Sequence, residues 1–169
     1  MDNRSDAEIR ADLSFLFDKA GQELTARMTT ALAEVGLTPR SYCVLSKALP
    51  GDRTQGELAE IALLDKTTMV VTMDQLERAG LALRRPSSTD RRARIVQTTE
   101  EGRRVVERAR TIIDGVYAEV LGVLPAAQRE SLLDALVALV GRGGPLSAVG
   151  GPGPGPGAAR RSRRASRTA

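Results

Sequence analysis

Apolar residues recur every three or four positions between residues 6 and 34, at Ile9, Leu13, Leu16, Ala20, Leu24, Met28 and Leu32. This spacing predicts a long amphipathic helix that ends near Gly36. Thr38-Pro39 then supplies an N-cap with proline at the first helical position, opening a second helix through about residue 49. Pro50-Gly51-Asp52 ends that helix. A short helix starts at Thr54, with Leu58, Ala59 and Ala62 facing inward. After a turn near Leu64-Asp65, a further helix is expected from residue 67 to residue 79, with Met69, Met73 and Leu76 on one side. Gly80 stands at its C′ position.

The period then changes. Residues 81–85 and 93–98 are short β-compatible runs, separated by the turn-rich Pro86-Ser87-Ser88-Thr89-Asp90. Thr99 caps a long helix whose first turn holds Glu100 and Glu101, acids that complement the helix dipole. Its apolar side is Val105, Val106, Ile112, Ile113, Val116, Val120 and Leu121. Pro125 opens a last helix, apolar at Leu132, Leu133, Leu136, Val137 and Val140 and stopped by Gly141. The order is one long helix, three short helices, a β-ribbon and two long helices. The fold class is therefore mainly α with a small β-wing.

Composition divides the 169 residues into two unlike parts. Residues 141–157 hold 8 Gly and 4 Pro, which cannot build a helix or a core and read as a linker. Residues 141–169 carry six Arg (Arg142, Arg160, Arg161, Arg163, Arg164, Arg167) and no acid. The formal net charge of +4 thus hides a body, residues 1–140, with 19 basic against 21 acidic residues. Within that body, Arg84, Arg85, Arg91, Arg92 and Arg94 cluster around Asp90 alone, a local +4 on an otherwise acidic surface. Such a patch orients the molecule toward a polyanion; the plainer alternative is a solvated turn.

Absences exclude several chemistries. There is no His, so a His-dependent triad, a His general base and a His-ligated metal are ruled out. Cys43 alone cannot form an internal disulfide, which fits a reducing compartment. Four aromatics are too few for a base-stacking platform. MDNRSDAEIR lacks an apolar core and no run approaches the ~18 apolar residues of a membrane span, so a soluble, cytoplasmic protein is expected. Neighbouring acids such as Glu100-Glu101 are better explained by helix capping than by catalysis, no phosphate loop or nucleophile site is found, and neither enzyme activity nor a cofactor or metal is expected.

Two short helices joined by a tight turn and followed by a charged hairpin make a winged helix-turn-helix. One helix fits the major groove of B-DNA, and an Arg-bearing loop beside it reaches phosphates or the adjacent minor groove. Along this span the chain reads Leu37-Thr38-Pro39, Thr54-Gln55-Gly56-Glu57-Leu58-Ala59, Leu64-Asp65-Lys66-Thr67-Thr68, Leu76-Glu77-Arg78-Ala79-Gly80-Leu81 and Arg85-Pro86-Ser87-Ser88-Thr89-Asp90-Arg91-Arg92-Ala93. In this ordered series it resembles the MarR family of bacterial transcriptional regulators.

The resemblance implies that Asp90 pairs with Arg92 and that Arg92 or Arg91 enters the minor groove, with Arg84, Arg85 and Arg94 completing the basic wing. On the recognition helix it implies Lys66, Thr67, Thr68, Val70, Val71 and Gln75 as DNA-binding residues. Val70-Val71 and Gln75 depart from the Thr-Arg and Arg common in the family, and Thr98 stands where Leu is usual. The two valines can touch thymine methyls but cannot read hydrogen-bond patterns; alternatively one of them belongs to the core. Cys43 reads as a packed small residue, with a redox sensor as the alternative.

These readings give residues 1–36 as an N-terminal dimerisation helix and 37–99 as the DNA-binding region. Residues 100–140 form the C-terminal dimerisation helices, and 141–169 a disordered linker and Arg-rich tail. The implied partners are double-stranded DNA, a second copy of the chain in a homodimer and a small-molecule effector of unspecified identity. The implied function is a ligand-responsive repressor on a pseudo-palindromic operator. A nonspecific architectural DNA binder using wing and tail is the alternative.

Overall fold

The computed structural model describes residues 12–88, 90 and 92–141. The chain divides into two compact units, one through Val123 and one from Leu124 onward.

In the first unit, helix α1 (Leu13–Leu32) begins where the Asp12 carboxylate accepts the Phe15 N–H. The predicted start at residue 6, with Ile9, lies outside the described residues. A 3₁₀ turn (Ala33–Val35) follows, and Gly36 takes a left-handed φ of 70°. Helix α2 (Pro39–Lys47) has the expected Thr38 cap, closed reciprocally by the Ser41 hydroxyl. Helix α3 (Gln55–Ile61) opens on a capping box between Thr54 and Glu57. Helix α4 (Lys66–Arg78) starts at Lys66, one residue before the predicted position, because Asp65 is the N-cap and accepts the Thr68 N–H. Gly80, with φ 69°, ends it.

Strands β1 (Ala82–Pro86) and β2 (Arg94–Thr98) pair antiparallel, with Ala82 opposite Thr98 and Pro86 opposite Arg94. Both ranges differ by one residue from the sequence expectation, for hydrogen-bonding reasons. The Leu81 N–H closes α4 by donating to the Leu76 carbonyl, and the Leu81 carbonyl accepts the Thr99 N–H. Similarly, Ala93 closes the wing loop through Asp90 and Ser87. At each end the carbonyl still bonds across the hairpin in register, but the N–H groups of Leu81 and Ala93 are taken by Leu76 and Asp90, so each end pair makes one cross-strand bond instead of two. The Val96 N–H also donates to the Arg53 carbonyl at 3.0 Å, tying β2 to the segment leading into α3. Helix α5 (Glu100–Gly122) follows, capped by Thr99.

The core gathers Leu32, Leu45, Leu58, Met69, Met73, Leu76, Val96 and Val106, all essentially inaccessible. The predicted inward residues of α3 and α4 are there, with Ala62 half-buried. The stripe of α1 leaves the core gradually. Leu32 is buried and Leu24 and Met28 half-buried, whereas Leu13, Leu16 and Phe17 are exposed. Likewise α5 buries Val105, Val106 and Ile113, while Tyr117 and the C-cap residue Val123 are exposed.

The second unit holds helix α6 (Ala126–Val140), which opens after Pro125 and stops at Gly141 as predicted. None of its residues is buried, and Leu132, Leu133, Val137 and Val140 are exposed. These four leave an apolar surface uncovered alongside the polar Gln128, Arg129, Glu130 and Asp134 of the same helix. No described helix is long and apolar enough to cross a membrane.

Candidate nucleic-acid interface

Helices α3 and α4 form the helix-turn-helix, and α4 turns Lys66, Thr67, Val70, Val71 and Gln75 outward. Val70 is 42 % and Val71 49 % exposed, so neither valine belongs to the core. Instead Met69, Thr72, Met73 and Leu76 fill the inward positions of the same turns. Thr68 is half-buried, and its hydroxyl donates to the Asp65 carboxylate at 2.6 Å. That bond, with the Thr68 N–H, holds the Asp65 carboxyl below its ordinary pKa. The cap therefore occupies the Thr68 side chain.

The wing loop is closed by its own hydrogen bonds. The Asp90 carboxylate accepts the Arg92 main-chain N–H at 2.8 Å, and the Asp90 carbonyl accepts the Ala93 N–H at 3.0 Å. The Asp90 N–H donates to the Ser87 hydroxyl at 3.2 Å. Asp90 thus grips the main chain at Arg92, whereas the family resemblance implied a pairing with its guanidinium. Either arrangement orders the wing before it meets a ligand, which lowers the entropy lost on docking. Arg85, Arg92 and Arg94 are exposed. Arg91 lies outside the described residues, as does the Arg-rich tail.

Arg84 behaves differently from the other wing arginines. Its side chain is only 24 % exposed, and its guanidinium pairs with Asp74 and Glu77 of α4. Its raised pKa follows first from the Glu77 hydrogen bonds and then from Asp74. Arg84 therefore faces the recognition helix rather than the open side of the wing. Asp74 and Glu77 carry no sequence signal for this role, since the partner arrives on a strand after a chain reversal.

Two clefts collect most of the other predicted residues, and Arg85 lines neither. One, of about 410 Å³, lies between the starts of α3 and α4 and the wing, and brings together Lys66, Val70, Asp90, Arg92 and Arg94 with Thr54 and Gln55. The other, of about 470 Å³, lies between α1, α2 and α4. It is lined by Thr67, Thr68, Val71 and Gln75 together with Thr25, Thr29 and Arg40. Thr54, Gln55 and Arg40 were not singled out from the sequence, because each reads there as an ordinary cap or surface residue. Cys43, half-buried on α2, has its thiol pKa raised by burial. Among the described residues no group of three His, Cys, Asp or Glu is placed to hold a metal ion.

Residues 35–93 match the model of the MarR family. Solved structures agree over a longer span. A MarR-family transcriptional regulator from Rhodococcus sp. RHA1 is 28 % identical, with a TM-score of 0.73, over 79 % of this chain and 95 % of that one. The transcriptional repressor CouR bound to a 23-mer DNA duplex is 27 % identical, with a TM-score of 0.72, over 80 % and 97 %. CouR from Rhodococcus jostii RHA1 bound to p-coumaroyl-CoA is 29 % identical, with a TM-score of 0.67, over 75 % and 90 %. The matched segment runs from the turn after α1 through the wing, and over this segment and the longer structural matches the chain is similar to MarR-family transcriptional regulators.

Proposed function

We propose that the protein is a ligand-responsive repressor that binds a pseudo-palindromic operator as a homodimer. The observation that carries DNA binding is the cleft in which Lys66 at the head of α4 faces Arg92 and Arg94 of the wing. A phosphate strand seated there meets three cations from two elements, while the exposed Thr67, Val70, Val71 and Gln75 reach base edges. The acidic remainder of the body keeps other faces away from the duplex. The DNA-bound CouR structure supports this reading. The uncovered apolar residues of α6, and those of α1 and α5, support a homodimer. A two-fold axis would place the two recognition helices about one DNA turn apart, ~34 Å.

For the effector, the cleft between α1, α2 and α4 offers Arg40 as its cation and threonine hydroxyls as donors, which suits a small organic anion. CouR was captured with p-coumaroyl-CoA, an acyl thioester whose charge lies on its phosphates, which supports an anionic acyl effector. A ligand held against α4 shifts DNA affinity only by the difference between its affinities for the free and bound conformations.

Affinity selection of random duplexes by the full-length protein, followed by sequencing, tests the proposal. A two-fold symmetric motif is expected. Retention that depends on duplex length, with no enriched sequence, would replace it with an architectural binder. Sedimentation at micromolar concentration should give the mass of a dimer, and a monomer would remove the two-fold model.

A further inference from the structure

We propose that Arg84 is a positioning residue that clamps the wing to the recognition helix, an inference that rests on the DNA-binding reading above. Along β1 the side chains alternate, so Leu83 and Arg85 are exposed while Arg84 turns toward α4. Three donors of this one residue meet Glu77. The main-chain N–H donates to one carboxylate oxygen at 2.7 Å, and Nε and Nη2 donate to the other at 3.0 and 2.6 Å. Nη2 also reaches Asp74, which lies three residues before Glu77 and hence on the same face of α4. A planar fork held by two carboxylates fixes both the position and the orientation of the strand, which a single ammonium cannot do.

The place of the clamp gives it leverage. Covalently the wing leaves α4 through Gly80 and Leu81, and Arg84 lies opposite Val96 in the ladder. Beyond it the ladder ends at Pro86 and Arg94, and the loop carrying Asp90 and Arg92 projects further. At ~3.3 Å per residue that loop lies roughly 10–20 Å past the clamp, so a tilt of about 5° there moves Arg92 by ~1–2 Å. The distance between the α4 face and the wing cations is therefore set at Arg84. The clamp also accounts for two acids on a helix meant to approach phosphate: a single arginine holds both and halves their charge.

The sign of an acid-to-amide change separates a clamp from a direct contact. The probe is the duplex that the full-length wild-type protein selects from a random pool. Removing acids near DNA ordinarily strengthens binding. The clamp predicts the reverse: Asp74→Asn with Glu77→Gln weakens binding about tenfold, the scale of losing a preorganised contact. Arg84→Lys should lose as much affinity as Arg84→Ala. In an Arg92→Ala background, Arg84→Ala should cost little more, because both act through the wing. Thermal melting followed by circular dichroism confirms that each variant is folded at the assay temperature. Where the double variant is not, Glu77→Gln alone decides the sign. Tighter binding by the amide variants, wild-type affinity for Arg84→Lys, or additive losses with Arg92→Ala would each overturn the clamp. If the wild-type protein retains no duplex of any sequence, the DNA-binding reading fails and the clamp with it. If it selects one and only the variants disagree, the clamp alone is wrong.

Discussion

Replacing Gly102 by alanine sets two effects of opposite sign against each other. Gly102 sits in the first turn of α5, and its N–H donates to the Thr99 hydroxyl at 2.9 Å. Helix propensity alone favours alanine over glycine by up to about 1 kcal/mol, less in a first turn. A Cβ there, however, would fall well inside van der Waals contact with the Leu81 carbonyl oxygen and 2.8 Å from the Thr98 methyl. The oxygen cannot step aside freely, since it accepts the Thr99 N–H at 3.0 Å while the Thr99 hydroxyl donates to the Gly80 carbonyl at 2.8 Å. Thr98 is itself buried between the wing and α5. Overpacking of this kind costs about 1–3 kcal/mol, and loosening the two hydrogen bonds adds up to about 1 kcal/mol each. The expected net is a destabilisation of about 1–3 kcal/mol, a fall in Tm of a few degrees to roughly ten for a chain of this size. Thermal melts of wild type and Gly102→Ala at equal protein concentration measure it. An unchanged or raised Tm would refute the argument that close backbone approach, not helix propensity, requires glycine at this junction.

Three further outcomes follow from the same structure. If Val70 and Val71 meet thymine methyls, replacing thymine by uracil within a half-site should weaken binding about fourfold per methyl lost, from ~0.8 kcal/mol per buried methyl. Val71→Ala should then blunt that sensitivity, and a protein indifferent to uracil would show that the valines read nothing. Stability should be flat between about pH 5 and 8, because the chain has no His, and should fall at lower pH. The carboxyls of Glu77, Asp65 and Glu57 are held below their ordinary values, chiefly by Arg84, by the Thr68 hydroxyl and by the Thr54 N–H respectively. A depressed folded-state pKa contributes stability above the unfolded value and loses it as pH falls through the folded one. Urea midpoints should therefore hold at pH 6 and drop below about pH 4, and a drop already between pH 7 and 5 would contradict this. Burial raises the Cys43 thiol, partly offset by Lys47, so the native protein should react with an aromatic disulfide more slowly at pH 7 than the denatured chain does. An equal or faster native rate would return Cys43 to the redox reading.

Much of the fold was readable because the signals were local. Thr38-Pro39, the Thr54-to-Glu57 box and Gly80 act within one helical turn, so their residue types announce the boundary that the structure shows. The inward residues Leu58, Met69, Met73 and Leu76 follow from helical period alone. What the sequence concealed depends on contacts made across the chain. Leu81 and Ala93 look like strand residues, but their N–H groups are taken by a helix end and a loop, so only their carbonyls bond across the hairpin. Arg84 looks like one more wing cation, and only the approach of β1 to α4 turns it toward Asp74 and Glu77. The exposure of both Val70 and Val71 was equally unreadable, because a wide apolar stripe does not say where the core stops.

Hydroxyl-radical footprinting of the selected duplex tests most directly whether α4 and the wing act as one DNA-binding surface. With the wild-type protein, protection should repeat about one helical turn apart and extend into the flanking minor grooves. With Arg92→Ala, the flanking protection should be lost while the central protection over the recognition helices persists at higher protein concentration. An Arg92→Ala footprint identical to that of the wild type would contradict the account.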